Sequence, residues 1–171
     1  MTRHTLVMAS FLLETHVMGA GPTGCMVALA LAQQNQRVVL FDPQAFDALT
    51  SRSRAYAITH SSRRLMQSLG LWDELQTDLV AFEQLDLRDL AAGRQVLFVA
   101  EDLAKKNRGH RGIGWILDHR PLMTVLLRKL QQSALVQMHL GGEAAPIPGP
   151  DSLVIAADGP SSPTRESWGI H

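Results

Sequence analysis

Val17-Met-Gly-Ala-Gly-Pro-Thr-Gly-Cys-Met-Val-Ala-Leu-Ala-Leu-Ala-Gln-Gln34, followed by Arg37-Val-Val-Leu-Phe-Asp42, decides how the rest of the chain is read. Val17 and Met18 read as the end of a strand. Gly19-Ala-Gly-Pro-Thr-Gly24 fits the pattern G-x-G-x-x-G. Ala28 to Ala32 are strong helix formers without polar interruption, so a helix buried on most sides should follow. Val38 to Phe41 are four apolar residues in a row, set between Asn35 and Pro43. They suit a parallel strand buried on both faces. Strand, helix and strand within about thirty residues make a βαβ unit.

The glycines have a chemical reading. A dinucleotide's pyrophosphate needs backbone N–H groups aimed at it and no side chain in the way. The first glycine makes the tight turn, the second admits the phosphates, and the third lets helix and strand pack closely. The positive end of the helix then faces two negative phosphates. Alone, the hexapeptide reads equally well as an ordinary glycine turn. Its context favours a nucleotide. The second strand ends in Asp42, 23 residues past Gly19, near the spacing at which an acid accepts hydrogen bonds from the ribose. An acid there favours an unphosphorylated ribose, as in FAD or NAD. Glu14, Thr15 and His16 precede Val17 where a central strand should be apolar. Either the strand is short and its start exposed, or the fold was built around a different N-terminus.

Composition narrows the alternatives. The chain has 171 residues, one domain or one domain plus a fragment of another. Apolar residues make up 46% and charged residues 19%, a balance that supports a core and excludes a disordered chain. Sixteen basic and sixteen acidic residues cancel, leaving no excess to neutralise a phosphate backbone, so no nucleic-acid partner is expected. One cysteine makes no internal disulfide and fits a reducing compartment. The seven histidines show no metal spacing. The apolar stretch Leu6 to Leu13 is far short of the roughly 20 residues that span a bilayer. No small-x-small cleavage site follows it, which disfavours secretion. A cytoplasmic location is expected.

Further along, Thr59 to Leu69 reads as a helix with Leu65, Met66 and Leu69 inward and Gly70 at its stop. Leu71 to Leu79 suggests a second short helix. Leu85-Asp-Leu-Arg88 and Gln95-Val-Leu-Phe-Val99 read as strands turning at Ala91-Ala-Gly93, a small sheet outside the βαβ pattern. Glu101 to Arg111 is charged and expected to be exposed. Asp118 can cap, and Pro121 can open, a helix whose buried stripe is Leu122, Val125, Leu126 and Leu130. Residues 141–151 hold six Gly or Pro and read as a linker. Leu153 to Ala157 reads as a short buried strand ending in Asp158-Gly159.

Taken together, the glycine motif, Arg54-Ala-Tyr-Ala-Ile58, Leu69-Gly-Leu-Trp72, Gly114-Trp-Ile-Leu-Asp-His-Arg-Pro-Leu122 and Asp158-Gly159 resemble the FAD-dependent aromatic hydroxylases. The resembling branch is the polyprenylphenol hydroxylases of ubiquinone biosynthesis. The resemblance implies an α/β fold: a doubly wound, Rossmann-like FAD-binding parallel sheet with part of an inserted β-rich substrate domain. The discontinuous FAD-binding domain would cover 14–171, with the insertion at about 80–115. Gly19, Gly21 and Gly24 would hold the pyrophosphate and Asp42 the ribose. Arg54 would stand near the flavin side, Arg120 would open the helix touching FAD, and Asp158 with Gly159 would contact FAD. NADH or NADPH would reduce the flavin transiently, and O2 would then hydroxylate a small phenolic or quinone-precursor ring, polyprenylated in that branch. A polyprenyl substrate would draw the protein to a membrane surface, although no amphipathic basic helix signals this. Thirteen residues follow Asp158, so an N-terminal portion with FAD half-enclosed is expected. The alternative is a degenerate flavin-binding fragment without catalysis. No catalytic residue is assigned and the oligomeric state is left open.

Other side chains receive plainer readings. Arg52, Arg63 and Arg64 are expected on a solvated face. Cys25 is expected as a small packing residue. Trp72, Trp115 and Trp168 are expected in core or domain contacts, with Trp115 a further candidate for the flavin pocket. A triad around Asp118 and His119 is rejected, because no G-x-S-x-G elbow exists.

Overall fold

A computed structural model describes residues 14–103 and 112–170. The apolar stretch Leu6 to Leu13, His110 and most of the charged run ending at Arg111 lie outside them. Glu101 and Asp102 are exposed.

The βαβ unit forms as the pattern requires. Strand β1 (Glu14–Met18) leads into α1 (Pro22–Gln33), and α1 returns to β2 (Arg37–Asp42), which pairs parallel with β1. The polar start of β1 is exposed at its first residue only. Glu14 alone faces solvent, while Thr15 and His16 are buried within the strand. His16 Nε2 and Glu14 Oε1 lie 2.9 Å apart, so the buried imidazole draws its partner from the strand's own exposed end.

Next come α2 (Phe46–Thr50), β3 (Ala55–Ile58), α3 (His60–Ser68), α4 (Trp72–Leu75) and β4 (Leu79–Phe82). Thr59 caps α3 by accepting from the Ser62 N–H. Leu65 departs from expectation. It is 48% exposed, whereas His60 and Met66 carry the buried face of α3. Leu79 likewise opens a strand and does not close a helix.

Strands β5 (Leu85–Asp89) and β6 (Arg94–Phe98) form an antiparallel hairpin of their own. Strand β7 (Gly114–Asp118) lies between β3 and β4 in a separate antiparallel sheet. Helix α5 (His119–Gln131) buries Leu122, Met123, Leu126, Leu127 and Leu130. The chain then gives β8 (Val136–Leu140), the irregular 141–151 stretch, β9 (Leu153–Ala156) and α6 (Pro163–Ser167).

The parallel sheet has the order β8-β2-β1-β9. The chain moves from β1 to β2 and β8 on one side, and β9 lies on the other. The order therefore reverses at β1, and the crevice outside the carboxyl ends of such strands is where open α/β sheets take ligands. Helices α1 and α5 pack on each other within one continuous core that includes Val17, Ala28, Leu40, Leu126 and Leu130.

Candidate functional site

Three segments meet at that crevice: the turn after β1, the end of β2, and Ala157 to Pro160 after β9. They are brought together by parallel pairing on both sides of β1. The Gly19 N–H donates to Phe41 O (2.7 Å), and the Ala157 N–H donates to Met18 O (2.7 Å).

The three motif glycines are required for three different reasons. Gly19 has φ +104°, and a Cβ on it would stand 2.5 Å from Ala157 O. It must both turn and let β9 approach. A Cβ on Gly24 would lie 1.8 Å from Gly19 O, so its role is tight packing of α1 on the turn. Gly21 has ordinary extended backbone and nothing within 4 Å of its Cβ position. Its bareness serves only the open cleft.

Helix α1 starts at Pro22, with no side-chain cap and no acidic residue in its first turn. The N–H groups of Thr23 and Gly24 have no partner within the helix. The positive end of α1 is thus uncompensated by side chains and faces the cleft, which Gly21, Pro22 and Thr23 line.

Asp42 is 9% exposed. Its Oδ2 accepts from the Ala20 N–H (2.8 Å) and its Oδ1 from the Gln44 N–H (2.9 Å). These bonds fix the carboxylate plane and leave each oxygen a second lone pair. On the far side, Asp158 Oδ2 accepts from the Thr164 N–H (3.0 Å). Partial burial pushes the Asp158 carboxyl up, but hydrogen bonds from the Ser162 hydroxyl and from Thr164 outweigh it and hold the group below the usual carboxylate range. Gly159 has φ +96° and open space at its Cβ position.

The cleft has a volume of about 440 Å³, and Gly19, Gly21, Asp42, Arg54, Asp158 and Gly159 all line it. Its apolar wall is Met26, Tyr56, Ile58, Leu65, Met66 and Leu122. Gly24 lies behind the turn. Arg120 does not reach this cleft; it is exposed and lines a neighbouring hollow with Arg52 and Arg54.

Arg52 was expected on a solvated face. It is exposed, yet it lines the main cleft, that hollow and a third one beyond Asp42, and its guanidinium donates to Gln44 Oε1. Its place two residues before Arg54, on the approach to a strand, is the signal that could have found it. Tyr56, inside the Arg54–Ile58 motif, and Ser62 also line the cleft. Trp115 does not line it. Trp115 packs edge-on against Trp72 at 5.0 Å, beside the Arg63 guanidinium. Cys25 is buried against Ala20 O, and burial together with the nearby Asp42 charge pushes its thiol up to about 12. That confirms a packing role.

Residues 13–87 match the family model described as FAD binding domain. The ubiquinone hydroxylase UbiL of Rhodospirillum rubrum is 28% identical over 172 residues, covering 90% of this chain and 39% of its own. The fold is also similar to two solved structures. One is the flavin-dependent monooxygenase PieE in complex with FAD and substrate (TM-score 0.71, 17% identity, 93% of this chain and 32% of that one). The other is 2-methyl-3-hydroxypyridine-5-carboxylic acid oxygenase (TM-score 0.70, 18% identity, 94% and 43%). The chain spans about two fifths of the length of the curated relatives it matches. Its fold is the Rossmann-like fold of FAD-binding domains. Among the described residues no helix is long and apolar enough to cross a membrane.

Proposed function

We propose that this chain is the FAD-binding part of a flavin-dependent monooxygenase. One observation carries the reading. Gly19, Gly21, Asp42, Arg54, Asp158 and Gly159, from distant parts of the sequence, line a single cleft at the carboxyl ends of the strands.

The cleft fits the cofactor in three respects. Gly21 leaves open the space that a Cβ would fill. The first turn of α1 offers free N–H groups to a diphosphate. Asp42, held by two backbone donors, has lone pairs to spare for ribose hydroxyls. In this reading Gly19, Gly21 and Gly24 form the pyrophosphate cradle and Asp42 takes the ribose. Arg54 stands on the flavin side, Arg120 lies outside the cleft in the neighbouring hollow, and Asp158 and Gly159 close the site from β9. The apolar wall excludes water from the ring system. FAD, when bound, supplies the redox chemistry by which NADH or NADPH and O2 hydroxylate an aromatic ring. The chain's own residues bind and orient it.

The substrate class is a small phenolic or quinone-precursor ring, a reading supported by the similarity to a protein named ubiquinone hydroxylase.

The test is a titration of the purified chain with FAD, followed by quenching of flavin fluorescence. Saturable binding is expected, and bleaching of the bound flavin by NADH or NADPH would extend the reading to reduction. A chain that takes up no FAD overturns the proposal. Binding without bleaching limits it to the cofactor site and favours a fragment that holds flavin without catalysis.

A further inference from the structure

Resting on the flavin reading, we infer that His119 is a positioning residue that sets Arg54 and Tyr56 against the cofactor. His119 opens α5 and is 2% exposed. It meets three elements at once. Its backbone N–H donates to Arg54 O (2.8 Å). Its ring Nε2 lies 2.6 Å from Leu49 O, and its ring Nδ1 lies 2.7 Å from the Tyr56 hydroxyl.

The direction of these bonds follows from chemistry. A carbonyl only accepts, so Nε2 carries the hydrogen that Leu49 O receives. With the ring hydrogen on Nε2 alone, Nδ1 is bare and accepts from the Tyr56 hydroxyl. Leu49 lies in the last turn of α2, where carbonyls have no partner within the helix. The imidazole satisfies that carbonyl from one side and fixes a phenol from the other.

The two bonds serve different ends. Leu49 is buried in the core and does not touch the cleft, so its bond to His119 is structural. Arg54, just before β3, and Tyr56, within it, both line the cleft, and His119 holds each by one hydrogen bond. Removing the Tyr56 bond should therefore free a cleft wall without opening the core. Both ring nitrogens are engaged away from Asp118, whose side chain makes no capping bond. The arrangement is a clamp and not a proton relay.

The bonds can be cut separately. Tyr56→Phe removes the phenol donor. His119→Gln keeps an amide donor near the Nε2 position for Leu49 O and loses the acceptor for Tyr56. FAD dissociation constants are measured for the wild type, both single variants and the double variant, with thermal midpoints alongside. Each single variant is expected to weaken FAD binding about fivefold, the worth of one neutral hydrogen bond. The double variant should also lose about fivefold and not the product, because the same bond is removed from both ends. Unchanged affinity in Tyr56→Phe, or effects that multiply in the double variant, would overturn the inference. Should His119→Gln fail to fold, Tyr56→Phe alone decides. A wild type that binds no FAD overturns the flavin reading and this inference with it; a wild type that binds, with an unaffected Tyr56→Phe, overturns this inference alone. An independent readout is the 15N spectrum of the His119 ring in the cofactor-free chain. The Nε2–H tautomer is expected, and an Nδ1–H tautomer contradicts the clamp.

Discussion

Gly24→Ala and Gly21→Ala are one methyl each, three residues apart, and should behave in opposite ways. At Gly24 the new Cβ would lie 1.8 Å from Gly19 O and 3.3 Å from the Ala157 Cβ. Neither neighbour is a flexible side-chain end, so α1 must move away from the turn. Overpacking of this kind costs about 1–3 kcal/mol and occasionally more. A backbone oxygen at such a distance places Gly24 at the upper end. At about 2–4 °C per kcal/mol for a domain of this size, the thermal midpoint should fall by roughly 6–12 °C. At Gly21 the backbone is extended and the Cβ position is empty. Alanine there should leave the midpoint unchanged or raise it slightly, since it restricts the unfolded chain by about 0.4–1 kcal/mol. In the proposed reading its methyl would stand where the diphosphate approaches. Losing one charge-assisted hydrogen bond of about 1.5–3 kcal/mol should weaken FAD binding roughly 10- to 150-fold. Differential scanning fluorimetry and flavin titration on both variants check this. A Gly24→Ala protein as stable as wild type refutes the packing argument. A Gly21→Ala protein that binds FAD normally refutes the placement of the phosphates.

Three more outcomes follow from the site. Asp42→Asn has one amide oxygen where two carboxylate oxygens now accept from Ala20 and Gln44, so one backbone N–H loses its partner; a loss of about 1–3 kcal/mol in urea denaturation is expected, together with weaker FAD binding. Cys25, with its thiol pushed up to about 12 from 9.0, should resist a thiol reagent at pH 8 in the folded chain and react fully in denaturant. The folded thiol holds its proton longer than the unfolded one, so this group's stabilisation is complete below pH 9.0 and is lost as pH rises toward about 12, a limb that Cys25→Ala should remove from the stability profile. Asp158 is held below the usual carboxylate range, so its contribution is present above that range and is lost as pH falls through the folded value; Asp158→Asn should flatten that acid limb.

The βαβ unit was legible because its signals are local. A glycine spacing, an alanine-rich run and four consecutive apolar residues each specify one element without reference to distant chain. Other elements were hidden for physical reasons. Strand β3 is four residues long, follows the polar Ser51-Arg-Ser-Arg54, and has Ala55 and Ala57 exposed, so it carries little apolar pattern of its own. Strand β8 alternates Val136, Met138 and Leu140, a period of two that could have revealed it. His16 looked wrong for a buried strand because its partner, Glu14, is exposed at the strand's own start. Leu65 looked like core because helix periodicity marks an apolar face without saying whether core or cleft lies against it.

The sequence by itself determined the turn, its three glycines and the acid that follows, because a tight backbone bend and a fixed loop-to-strand spacing are short-range matters. Only the tertiary structure decided that β9 lies beside β1, which carries Asp158 and Gly159 to the glycine turn across more than a hundred residues of chain. It alone joined His119 to Tyr56 and Leu49, and it alone separated Gly21, open to the cleft, from Gly24, pressed on a carbonyl. Strand order and side-chain contact depend on which surfaces find each other in space, and no local pattern encodes that.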